Sequence, residues 1–128
     1  MTVGLSAANT ANKLLETLGR TGTTFTAGTM KVAIHTADPG ASGTTSASSN
    51  TTKQSLTFSA ASAGSMSLTS SPTAWSMTAT ETITHISLWD SAGTTFLWSV
   101  ALTASKSVVS GDSLQLTSLT LALTPIAA

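Results

Sequence analysis

Few residues in this chain can do chemistry. It has two histidines, five acidic side chains, five Lys or Arg and no cysteine among 128 residues. His35 and Asp38 stand three apart at the end of the apolar stretch from Met30 to Ile34. A histidine beside a carboxylate can serve as a general base or supply metal ligands. No third partner follows at a recognisable spacing. The simpler reading is that Asp38 sets the turn before Pro39 and that His35 is a half-exposed strand residue. His85 has apolar neighbours and reads as a hydrogen-bonded core or interface histidine. Glu16, Asp38, Glu81, Asp90 and Asp112 are isolated from one another, so no carboxylate pair is placed for acid–base work. Serines are plentiful, but no Gly-x-Ser-x-Gly elbow occurs. The Gly-rich pieces at Thr21-Gly22 and Gly40 to Gly43 lack the Lys and the following helix of a phosphate loop. No catalytic residue, cofactor or metal site is therefore expected. Trp75, Trp89 and Trp98 could stack on sugar rings, but aromatics of this kind more often fill cores or subunit contacts. The core or contact role is the expectation.

Composition points away from charged partners. Charged residues make up 8% of the chain and the formal net charge is zero, against about 25% charged in an ordinary globular domain. A nucleic-acid partner needs a basic patch, and an anionic membrane surface needs basic clusters. Neither partner is expected. The polar surface is built from hydroxyls, 26 Thr and 21 Ser. A near-neutral surface protects poorly against association, which suits a permanent assembly. No basic segment followed by an apolar one opens the chain, and no apolar run approaches the roughly 18 residues of a membrane span. A soluble chain made in a cytoplasm is expected.

The elements that must position these residues are mostly strands. Ile83 to Val100 is the most strongly patterned stretch: two β-forming runs flank Asp90-Ser91-Ala92-Gly93, a turn sequence. By alternation, Ile86 and Leu88 share one face while Ile83, His85 and Trp89 share the other. Phe96, Trp98 and Val100 are likewise set against Leu97. A hairpin apolar on both faces should lie inside a sandwich or carry another subunit on its outer face. Ser6 to Leu18 reads as one helix, capped by Ser6 and ended by a left-handed Gly19. Its apolar stripe includes Leu14, Leu15 and Leu18. Met30, Val32 and Ile34 alternate with Lys31, Ala33 and His35 as a half-buried strand. Residues 41–52 hold nothing large and apolar and read as a mobile loop or arm. Short strands follow around Leu56, Met66 and Trp75. The parity of Leu114 and Leu116 against Leu119, Leu121 and Leu123 requires a bulge near Thr117-Ser118 or a crossing between sheets. The sum is an all-β chain: one β-sandwich domain over residues 1–128, jelly-roll-like, of about seven or eight strands, with one short N-terminal helix.

The order of motifs carries a resemblance. A strand ends in His35-Thr36-Ala37-Asp38-Pro39-Gly40 and a Ser/Thr/Asn-rich loop follows. Later come Trp75, then Thr82 to Asp90 ending in His-Ile-Ser-Leu-Trp-Asp, then Gly111-Asp112. With the N-terminal helix, this pattern resembles a group of small structural proteins of tailed bacteriophages. It departs at Thr52-Lys53-Gln54-Ser55, where the group has a Tyr-Ala-Arg-like segment. The resemblance implies a virion structural protein and no enzyme. The favoured expectation is a capsid decoration (cement) protein on the major capsid protein lattice. The alternative is a small tail-fibre or tail-tip subunit involved in host-surface attachment. A homo-oligomer, expected as a trimer, is implied. The candidate contacts are Leu14, Leu15 and Leu18 of the helix, Trp89, Leu97 and Trp98 of the hairpin, and Thr44, Ser48 and Asn50 of the loop.

Overall fold

The computed structural model describes residues 3–22 and 25–123. The all-β expectation with one short N-terminal helix holds, with eight strands among the described residues. Four form an antiparallel sheet in the order β2, β1, β5, β6, where β1 is Lys31–His35, β2 Gln54–Ser55, β5 Glu81–Trp89 and β6 Phe96–Val108. The other four make two short antiparallel ladders: β3 (Ser65–Ser67) with β8 (Thr120–Ala122), and β4 (Trp75–Ser76) with β7 (Ser113–Leu114). One face of the sheet meets these ladders. Val32, Ile34, Ile86 and Leu88 from the sheet pack with Trp75, Met77, Leu119 and Leu121. Removing this apolar surface from water is the main stabilising term of the fold. The leucine parity change between Leu116 and Leu119 marks a crossing from the β4 ladder to the β3 ladder.

The hairpin turns as its residues require. Asp90 Oδ1 accepts from the backbone of Thr94 and Thr95, and Gly93 takes a φ of 78°. The simple alternation along its strands fails at two places. Leu88 pairs with Trp98 but Trp89 pairs with Phe96, so Leu97 is an extra residue. This bulge puts Phe96 with Trp89 and Ala33 on the second face of the sheet, while Trp98 packs against the core of the first. Farther along, His85 pairs with Ala101 and Ile83 with Lys106. β6 makes a wide excursion there, and Ile83 turns into the same core as Ile86 and Leu88. Period-2 reasoning cannot see either event, because an inserted residue reverses every later side chain.

The second face is covered by the chain's own loop and N-terminal segment. β1 is therefore buried from Val32 through His35, rather than half-buried. Ser6 Oγ accepts from Asn9 N–H at 3.4 Å and starts a wide helical turn over Ala7–Ala11, which leads into α1, Asn12–Gly19. Gly19 is the last helical residue and has no positive φ; Arg20 leaves in extended conformation and its N–H returns to Glu16 O. The left-handed stop expected at Gly19 is not used. Among the described residues no helix is long and apolar enough to cross a membrane.

Candidate functional site

The pairing of His35 with Asp38 dissolves in three dimensions. Asp38 Oδ1 accepts from Gly40 N–H at 2.8 Å, the turn-setting role. His35 is 2% exposed, not half-exposed. Its Nδ1 lies 2.9 Å from the carbonyl oxygen of Thr45, which can only accept, so Nδ1 carries the proton. Neutral His35 then offers Nε2 as an acceptor to the Ser87 hydroxyl at 2.7 Å. Ser87 Oγ in turn accepts from Trp89 Nε1 at 2.7 Å. Every polar atom of this buried trio has a partner. Burial, with the positive surroundings of His85 and Lys53 adding to it, holds the His35 pKa below its ordinary value despite the Thr45 bond. A histidine held neutral and bonded at both nitrogens is a structural pin rather than a free base.

A shallow cavity of about 180 Å³ lies beside this trio, lined by Ala33, His35, Thr44, Thr51, Lys53 and Trp89 among others. Lys53 Nζ sits 3.6 Å from the Trp89 ring centre and also donates to Gly93 O. The Trp89 face is thus occupied by a cation from its own chain. Trp75 is 1% exposed and gives its Nε1–H to Thr52 O at 2.7 Å. Neither ring is an open platform for a sugar. Among the described residues no group of three His, Asp or Glu side chains could hold a metal.

The loop expected to be a mobile arm is tied along its length. Thr36 N–H bonds Ser46 O and Ser48 N–H bonds Ile34 O, so the loop pairs with the end of β1. Ser48 is 2% exposed and its hydroxyl donates to Glu81 Oε1. Ser49 reaches the same carboxylate through its N–H at 3.1 Å and its hydroxyl at 3.1 Å. Asn50 Nδ2 donates to Ser76 O at 2.8 Å. Gly43 is seated so closely on Phe96 that a Cβ there would meet the ring at 2.2 Å. Among the loop candidates for partner contacts, Ser48 and Asn50 are engaged within the subunit, while exposed Thr44 bonds Ser42 at 2.7 Å. Small hydroxyl and amide side chains fix a loop when acceptors wait across the fold, and for Ser48, Ser49 and Asn50 those acceptors lie 26 to 33 positions away in sequence.

The hairpin candidates also turn inward. Trp89 is 5% and Leu97 3% exposed, and Trp98 is half-buried against the core. The helix candidates behave oppositely. α1 buries none of its residues, and Leu14, Leu15 and Leu18 are 38%, 66% and 86% exposed. What anchors the segment is its start. Leu5 bridges Trp98 in antiparallel register, flanked by Ser6 N–H to Leu97 O at 2.8 Å and Ser99 N–H to Gly4 O at 2.9 Å. Thr10, itself buried, donates from Oγ1 to Leu97 O at 2.7 Å, and Asn9 Nδ2 donates to Phe96 O. Among the described residues the interior is closed, Asp38 Oδ2 being the buried side-chain atom without a hydrogen-bond partner, and the leucine stripe of α1 is uncovered. This distribution sets a bonded interior against an exposed apolar stripe.

Comparison with known families agrees with that distribution. The model of the family described as podophage GP4 fiber I protein gp80 matches residues 5–124. The chain belongs to this family. It is a structural protein of a phage particle. Among curated proteins nothing matches the chain. The family description names a fibre, and so favours the tail-fibre alternative over the capsid-cement expectation.

Proposed function

We propose that this protein is a small fibre subunit of a podophage tail, working as a homo-oligomer in attachment of the particle to its host surface. The observation that carries the reading is the fibre-family match along nearly the whole described chain. The physical features fit it. Among the described residues, three of the six exposed large apolar side chains, Leu14, Leu15 and Leu18, lie together on α1. In the proposal Leu14, Leu15 and Leu18 meet neighbouring copies, and the assembly is a trimer. Repetition then multiplies weak individual contacts with the host surface through multivalency.

The test is a count and a location. Quantitative mass spectrometry of purified particles should find a few to tens of copies, and gold-labelled antibody should decorate the tail end. Antibody fragments should also slow adsorption to host cells. Copies in the hundreds, with label spread over the head, would overturn the fibre reading in favour of cement.

A further inference from the structure

We infer that the N-terminal arm, residues 4–19, is exchanged between copies: the arm of one subunit completes the β6 edge of the next. The inference rests on the homo-oligomer reading above and specifies how the copies are joined.

Three observations lead to it. First, the bonds that seat the arm fall on residues 96–99 of β6. Gly4, Leu5 and Ser6 add a short antiparallel strand there, and Asn9 and Thr10 cap the carbonyls of Phe96 and Leu97. Strand addition of this kind reads backbone, so any copy of the arm satisfies the edge equally well. Exchange keeps every one of these bonds and costs none of them, the condition under which swapping is cheap. Second, α1 joins the seated turn to the rest of the chain yet buries nothing in its own subunit. Two helical turns are too short to hold their shape well in water without a packing surface. α1 directly precedes the connection, so in an exchanged assembly it lies where one body passes to the next, and its leucine stripe gains a neighbour. Third, the connection is long enough. Its far end is fixed on the hairpin tip, where Ser91 N–H bonds Ala27 O at 2.9 Å and Gly28 packs against Ser91. Seven positions separate Gly19 from Ala27 in the sequence, and seven extended residues can reach roughly 23 Å.

The chain has no cysteine, which makes the test clean. Leu5 and Trp98 form a bridge whose hydrogen bonds lie on either side of it, the closer kind of antiparallel pair. Two cysteines at such a pair fall within disulfide range. Leu5→Cys/Trp98→Cys protein is assembled, sized by light scattering, oxidised and run on a denaturing gel without reductant. Exchange predicts covalent species of two or more chains. Disulfides confined to single chains within a confirmed oligomer overturn exchange and leave the oligomer reading standing. A particle of one-chain mass overturns both. Should loss of Trp98 prevent folding, Ser6→Cys/Leu97→Cys tests the neighbouring rung with the tryptophan in place, under the same outcomes.

Discussion

Ser87 shows how much of this fold hangs on single hydroxyls. It is fully buried and joins His35 to Trp89. Ser87→Ala leaves the Trp89 N–H and the His35 Nε2 without partners, and each orphaned buried group costs about 1–3 kcal/mol. We expect a loss of about 2–4 kcal/mol in unfolding free energy, read from urea midpoints. A change under about 0.5 kcal/mol, as at an ordinary surface site, would refute the network. The same trio sets a pH dependence. His35 has its folded pKa below the ordinary 6.5, so just below pH 6.5 the unfolded chain binds more protons than the folded one. Stability therefore falls as pH drops from 6.5 towards the folded pKa and levels off beneath it. Urea midpoints between pH 7.5 and 5 should show this slope, and His35→Asn should lessen it. An unchanged slope in the variant would assign the effect to other groups.

At the scale of elements, the covering loop and the helix make opposite predictions. The loop over residues 41–52 is held by Glu81, which gathers Ser48 and Ser49. Burial pushes the Glu81 carboxyl up, but these bonds outweigh it and hold the pKa below its ordinary value. Glu81→Ala should therefore make the loop cleavable by a protease that leaves the parent intact at neutral pH. Equal cleavage rates would show that the β1 pairing alone holds it. In α1, Leu15→Ser and Leu18→Ser remove apolar groups that are largely exposed in the subunit. Thermal stability of the isolated subunit should move by no more than about 0.5 kcal/mol, while sedimentation shows loss of the oligomer. These contrasts also explain what the sequence made legible. The Asp90–Gly93 turn, the Ser6 cap and the leucine parity change are local signals, and the structure contains each of them. The bulge at Leu97 leaves no mark in Phe-Leu-Trp, so the sides taken by Phe96 and Trp98 could not be read. The loop looked unstructured because its serines find acceptors only after the chain has folded back on itself.

For the whole molecule, the question is which force joins copies in a particle. The sequence offers ten charged residues with a net charge of zero. Two of the ion pairs are local to α1, Glu16 with Lys13 and with Arg20, on exposed side chains. Such pairs contribute little and are screened by salt. The arm–edge contact is made of backbone and amide or hydroxyl bonds, and the exposed stripe beside it is leucine. Neither depends on long-range Coulomb attraction. Self-association should then be nearly indifferent to ionic strength. Raising NaCl from about 0.05 to 0.5 M, which shortens the screening length from above 10 Å to well below it, should alter the association constant by less than about threefold. Sedimentation equilibrium at the two salt levels measures this directly. A tenfold or greater weakening would mean that charged side chains carry the contact, and the leucine stripe would lose its role. A modest strengthening at high salt in sulfate would agree with apolar burial, which excluded salts reinforce.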